Sequence, residues 1–210
     1  TDYDGARKGM ERVFTEHGLP RAIRSDNGSP FATRGVLGLS RLSAWWLALG
    51  IEHERIEPGH PEQNGRHERM HLTLKREAAR PAEKNQQAQQ ERFDRFQRYF
   101  NEERPHEALG QETPSSVHTK SERSFGKESV VLEYEGFDMV KRVQNNGQIN
   151  VGYGRLFVGA ALAGWEVGLL ELDEEVWLVS FAGKDLGVFE VGDKKMSKLA
   201  VGKVSRRMTV

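Results

Sequence analysis

Cysteine is absent from the 210 residues. That excludes a disulfide framework and any zinc site built from thiolates, and it fits a reducing compartment. No run of about 18 apolar residues occurs, so no helical membrane span is expected. A leader of basic and then apolar residues is also lacking, and no secretory signal is expected. Net charge is missing too, because 31 Lys and Arg are balanced by 31 Asp and Glu. A nucleic-acid binder usually carries a basic excess, so the total by itself argues against that class of partner. What is present is 37% apolar and 30% charged residues. This composition predicts a polar-surfaced globular protein with one large or two small domains and room for real cores.

The charge is unevenly spread. Residues 1–110 hold 18 basic and 17 acidic side chains, residues 161–193 hold one basic and eight acidic, and residues 194–210 hold six basic and none acidic. The last group comprises Lys194, Lys195, Lys198, Lys203, Arg206 and Arg207. Such a tail reads either as a solvated, frayed terminus or as a set of phosphate contacts.

Periodicity divides the chain in two. Tyr3, Ala6, Met10, Val13 and Phe14 fall near one face of a helix over 3–17, with Gly18 as its cap and Pro20 preventing continuation. A short strand over 21–25 ends at Asp26-Asn27-Gly28, a turn signal. A Leu- and Trp-rich helix is expected over 36–49, a strand over 51–56, a helix from about Glu62 to Ala79 and another over 89–103. The alternation predicts an α/β layer fold over residues 1–110, although two short strands are too few for a stable sheet. Residues 111–128 read as a polar linker. From 129 to 210 the pattern is all strand: VVLEY, MVKRVQ, an Asn146-Gly147 hairpin signal, INVGY, RLFVG, WEVGLLEL, VWLVSF and LGVFEV. Short strands with Gly-rich turns predict a small all-β, barrel-like C-terminal domain.

Two carboxylates occupy suggestive positions. Asp26 follows an expected strand, and α/β folds build sites at the carboxyl ends of strands. An Asp before Asn-Gly also has the commoner job of holding a turn. Glu68 lies on the expected helix over 62–79, on one face with Asn64 and Lys75, and a solvated surface glutamate is the plainer reading. The histidines 53, 60, 67 and 71 invite a metal reading. His67-Glu68-Arg69-Met70-His71 matches H-E-x-x-H, with two zinc-ligating histidines and Glu68 as general base. That chemistry needs a third ligand downstream and a cleft. His67, Met70, His71 and Leu74 follow the i, i+3, i+4, i+7 rule, so the two histidines are expected partly to face the core.

The wider pattern is more specific. HGLPRAIRSDNGSPF, IEPGHPEQNGRHERMHLTLKRE and YFNEERPHEALGQETPSSV, in that order, closely resemble bacterial insertion-sequence transposases of the retroviral-integrase superfamily. The final seventy residues resemble the C-terminal extension of one such group. The resemblance implies an RNase H-like α/β catalytic domain with two Asp and one Glu, which hold two Mg²⁺ or Mn²⁺ ions for cleavage and transfer of DNA strands. Carboxylates suit these hard cations, and paired metals activate the attacking oxygen and stabilise the leaving one. Asp26 matches the second Asp and Glu68 the Glu. Asn64 and Gly65 match the helix start, Lys75 a basic position near DNA, and Arg104, Pro105 and His106 a segment of structural character. Glu62, with 35 intervening positions after Asp26, lies nearer the spacing common among relatives than Glu68, with 41. Glu68 is preferred because the local motif outranks a spacing that an insertion near 32–43 would change.

The first catalytic Asp and the first three strands are not matched by the residues before Asp26. The expectation is therefore a transposase fragment, inactive by itself, in a bacterial, cytoplasmic, nucleoid-associated setting. Element ends and target DNA are its expected partners, together with other copies of the chain. Lys194, Lys195, Lys198, Arg206 and Arg207 are expected to contact phosphate with Asn64 and Lys75. The alternative is a non-enzymatic DNA-binding or assembly module, and a zinc hydrolase stands third.

Overall fold

The structure is a computed structural model that describes residues 3–33, 35–126, 130–152 and 154–192. The chain forms two compact units, one of Thr1–Arg55 with Arg123–Val210 and the other of Ile56–Glu122. These divisions do not coincide with the expected boundaries at 110 and 128.

In the first unit, α1 (Tyr3–His17) ends where Gly18, at φ 80°, donates its N–H to the Phe14 carbonyl at 2.9 Å. β1 (Ala22–Ser25) and β2 (Glu52–Arg55) pair in parallel, with Ser25 opposite Arg55. Between them lies α2 (Arg41–Ala48), shorter than the helix expected over 36–49. Two local features set its start. Leu37 and Gly38 have φ of 50° and 70°, which no α-helix accommodates. Ser40 then caps the helix reciprocally with Ser43, its Oγ accepting from the Ser43 N–H at 3.1 Å while the Ser43 Oγ accepts from the Ser40 N–H at 2.9 Å.

Leu42, Ser43, Ala44, Trp45, Trp46 and Ala48 of α2 are all buried. A helix with apolar residues on more than one face has to be covered on more than one face. Trp45, Trp46 and Leu42 pack with Phe14, Leu19 and Ile51. Ala44 and Ala48 belong instead to a core with Val143, Ile149, Leu156, Val167, Leu169, Val179 and Phe181 from the β-rich region.

That region holds β3 (Met139–Arg142), β4 (Gln148–Val151), β5 (Gly154–Phe157), β6 (Glu166–Asp173), β7 (Val176–Phe181) and β8 (Lys184–Glu190). β3, β6, β7 and β8 form an antiparallel sheet in that order, while β4 and β5 form a separate hairpin. Two expectations are corrected. Residues 130–134 form no strand, although Val130 and Leu132 pack against the core. The Asn146-Gly147 turn forms, but β3 pairs with β6 across it rather than with β4. Gly147 sits at φ 78°, and a Cβ there would lie 2.6 Å from the Ala160 nitrogen. The turn is thus pressed against the short helical segment Ala160–Leu162, and this tertiary contact requires glycine there.

The second unit is helical. A 3₁₀ turn (Pro61–Asn64) leads into α3 (Gly65–Leu74) and a π-helical turn (Lys75–Ala79). α4 (Gln86–Arg98), capped by Asn85, continues as a π-helical turn (Tyr99–Glu103), and α5 (Pro114–Val117) follows. Polar contacts clasp these helices. Arg92 donates to the carbonyls of Glu77 and Pro81, each at 2.9 Å, and Gln89 donates to the Ala78 carbonyl at 2.8 Å. The carbonyls left over at a helix end are thereby satisfied. No helix among the described residues is long and apolar enough to cross a membrane.

Trp46 is fully buried, its Nε1–H reaching the Met10 sulfur at 3.2 Å. Trp46→Ala is expected to cost about 3–5 kcal/mol, read as a lower urea midpoint of the first unit.

Candidate active site

Asp26 is the first residue beyond β1, at the carboxyl end of the parallel pair, and its side chain is exposed. The Gly28 N–H donates to Asp26 Oδ1 at 2.8 Å, so the carboxylate closes an Asx turn. A cation would use Oδ2 or compete with that N–H.

Behind Asp26 lies a polar pair that the motif reading left without a role. Ser25 is buried, and its hydroxyl donates to the Asp26 carbonyl at 2.8 Å. The same Oγ lies 2.8 Å from His53 Nε2 on β2. The imidazole meets the Trp46 ring edge-on, with centroids 5.1 Å apart. Burial pushes the His53 pKa below its ordinary value, and the nearby Arg55 charge acts in the same direction. The pair arises from the parallel register, which sets Ile23 opposite His53 and puts Ser25 two residues further along β1.

Glu68 lies in the first turn of α3, where a negative side chain suits the helix dipole. It is exposed and, among the described residues, makes no side-chain hydrogen bond or ion pair. Glu62 differs, since its Oε1 is 2.7 Å from His60 Nδ1. Asn64 is half-buried at the helix start without capping it through its side chain, and Lys75 is exposed where α3 gives way to the π-helical turn. Asp26 belongs to the first compact unit and Glu68 to the second. Lys194, Lys195, Lys198, Lys203, Arg206 and Arg207 lie outside the described residues.

The His67 and His71 rings lie in contact at a tilt of 50°, with centroids 4.2 Å apart. Both are exposed, which corrects the expectation that they partly face the core. The inward stripe runs through Met70, Leu74 and the buried Ala78 instead. Partial desolvation lowers the His71 pKa, with smaller contributions from His67 and Lys75. Among the described residues no group of three His, Cys, Asp or Glu side chains is placed to hold a metal ion. In donor type, the exposed carboxylates of Asp26 and Glu68 fit a hard divalent cation better than zinc.

The depressed His53 pKa has a consequence for stability. In the unfolded chain His53 takes up a proton as pH falls through about 6.5, while the folded state resists it. Its contribution is therefore present above that pH and lost as pH falls toward the folded value. The unfolding midpoint is expected to decline below about pH 6.5, and the decline should be shallower in His53→Gln, as followed by thermal melts across pH.

Residues 49–114 match the family model described as integrase core domain. An insertion element IS476 protein of 39.2 kDa from Xanthomonas euvesicatoria is 34% identical over 107 residues, covering 50% of this chain and 29% of that protein. The Gag-Pol polyprotein of baboon endogenous virus (strain M7) is 37% identical over 70 residues, covering 33% of this chain and 4% of the polyprotein. An uncharacterized Caenorhabditis elegans protein, K02A2.6, is 32% identical over 109 residues, covering 52% of this chain and 8% of that protein. The chain thus spans less than a third of each of these relatives' lengths. The match implies an RNase H-like α/β fold for the segment concerned. The chain is thus similar to the integrase core domain over residues 49–114, and to an insertion-element protein and a retroviral polyprotein over 107 and 70 residues.

Proposed function

We propose that this chain is part of a DDE transposase that cleaves and joins DNA strands with Mg²⁺ or Mn²⁺, with Asp26 and Glu68 as two of its three catalytic carboxylates. The observation that supports this most is the integrase-core match over 49–114, which contains an exposed Glu68 with no side-chain partner among the described residues. The exposed Asp26 at the carboxyl end of a parallel strand pair is the matching feature upstream. When bound, paired divalent cations would activate the attacking oxygen and stabilise the leaving one. Asp26 and Glu68 would supply hard oxygen ligands, while Asn64 and Lys75, at the two ends of the helix that carries Glu68, would face the DNA backbone. Element ends and target DNA are the partners of this reading, with other copies of the chain.

The first catalytic Asp would come from residues other than those matched here, so the 210-residue chain by itself is expected to join no DNA ends. Residues 129–210 would form a barrel-like module contacting DNA or another subunit. The six basic and no acidic side chains of 194–210 would make sequence-independent, salt-sensitive phosphate contacts.

The test is metal-dependent joining of labelled DNA ends by a protein that carries this chain together with an upstream, strand-borne Asp. Asp26→Asn and Glu68→Gln should each reduce joining to background, and Glu62→Gln should leave it intact. Full activity in Glu68→Gln would move the assignment to Glu62. Metal analysis checks the competing zinc reading: no stoichiometric zinc is expected, and one zinc per chain that disappears in His71→Ala would favour a zinc hydrolase.

A further inference from the structure

We propose that His53 is a positioning residue for Asp26, acting through the buried hydroxyl of Ser25. This rests on the reading of Asp26 as a metal ligand. A serine hydroxyl has one proton to give, and Ser25 gives it to the Asp26 carbonyl. The 2.8 Å contact between Ser25 Oγ and His53 Nε2 can then be a hydrogen bond only if the imidazole donates. His53 is thereby held with its proton on Nε2, and its ring packs near-perpendicular to the fully buried Trp46 ring, which restricts its orientation.

The result is a relay from the core to the turn. Trp46 orients His53, His53 donates to Ser25, and Ser25 donates to the Asp26 carbonyl. On the other side of the same residue, Asp26 Oδ1 takes the Gly28 N–H. Main chain and side chain of Asp26 are therefore both restrained, although the residue is exposed and lies beyond the end of a four-residue strand. A metal-binding carboxylate benefits from such restraint, because a ligand held in place loses less freedom on binding. Plain satisfaction of buried polar groups would not require the imidazole, since the Ser25 hydroxyl already has the Asp26 carbonyl as its acceptor.

The experiment uses the 210-residue chain, ¹⁵N-labelled at histidine and backbone, and Mn²⁺ alone as the probe. Long-range proton–nitrogen correlation should show His53 as the Nε2–H tautomer. Mn²⁺ should broaden the Gly28 amide, and Asp26→Asn should abolish that broadening. Ser25→Ala should weaken Mn²⁺ binding at this turn about fivefold, the effect of one ordinary hydrogen bond, whereas Ser25→Thr should keep it. His53→Gln, with an amide donor near the Nε2 position, should retain binding that His53→Leu loses. This second pair carries the comparison if Ser25→Ala fails to fold. A wild-type titration in Ser25→Ala or His53→Leu, or an Nδ1–H tautomer in the unsubstituted chain, would overturn the proposal. If Mn²⁺ acts equally on the Asp26→Asn variant, or not at all, the metal reading of Asp26 fails and the relay is judged separately. In that case the Gly28 amide should exchange about fivefold faster in Ser25→Ala, and unchanged exchange would sink the relay as well.

Discussion

The burial of six of the eight residues of α2 is the constraint on which the first unit depends. α2 spends the area of two tryptophans and a leucine on the cluster formed with α1 and Ile51, and offers two alanines to the β-rich core on its other side. The asymmetry is physical. Large aromatic side chains fill the space against a helix and a strand pair, whereas alanine lets the strands and loops of the β-rich region approach the helix backbone closely. A helix of this length has little stability of its own. It persists because both sides are covered and its first turn is capped by Ser40 and Ser43.

The same helix governs the loop that carries Asp26. At the near end of that loop, Trp46 supports His53, and His53 reaches Ser25. At the far end, the Ser40 hydroxyl donates to the Phe31 carbonyl at 2.9 Å, and the Phe31 ring stacks on Trp46 with centroids 6.0 Å apart. An exposed turn is thus tied at both ends to one buried indole and one helix cap. This is how a segment with little regular structure can hold a carboxylate in a defined direction. It also means that substitutions in α2 would act on Asp26 without touching it.

The second unit obtains its order differently. Ala78 is the one buried apolar side chain recorded among its described residues, so burial contributes little. Arg92 and Gln89 instead fasten α4 to the carbonyls that end the helix containing Glu68. The two bonds from the Arg92 guanidinium are charge-assisted and individually stronger than neutral ones. The outward face of α3 is left to Glu68, His67 and His71, none of which the unit needs for its own packing.

Much was determined by the sequence alone. The apolar stripe of α1 and its Gly18 stop, the two short strands, the helical run from about 62 to 79 and most of the C-terminal strands follow from local periodicity and turn chemistry. The ordered motifs around Asp26 and Glu68 carried the integrase resemblance that the family match supports over 49–114. The tertiary structure decided the rest. The helix expected over 36–49 starts at Arg41 because backbone at positive φ and a serine cap outweigh its Leu-rich composition. β3 passes over an apparent hairpin partner to pair with β6, and Gly147 is packed against residues 159–160 and not merely turning the chain. His53, one of four histidines open to a metal reading, is a hydrogen-bond donor to a buried serine. Nothing in its neighbouring residues reveals that role, because it arises only when β2 lies parallel to β1 and Trp46 closes behind it.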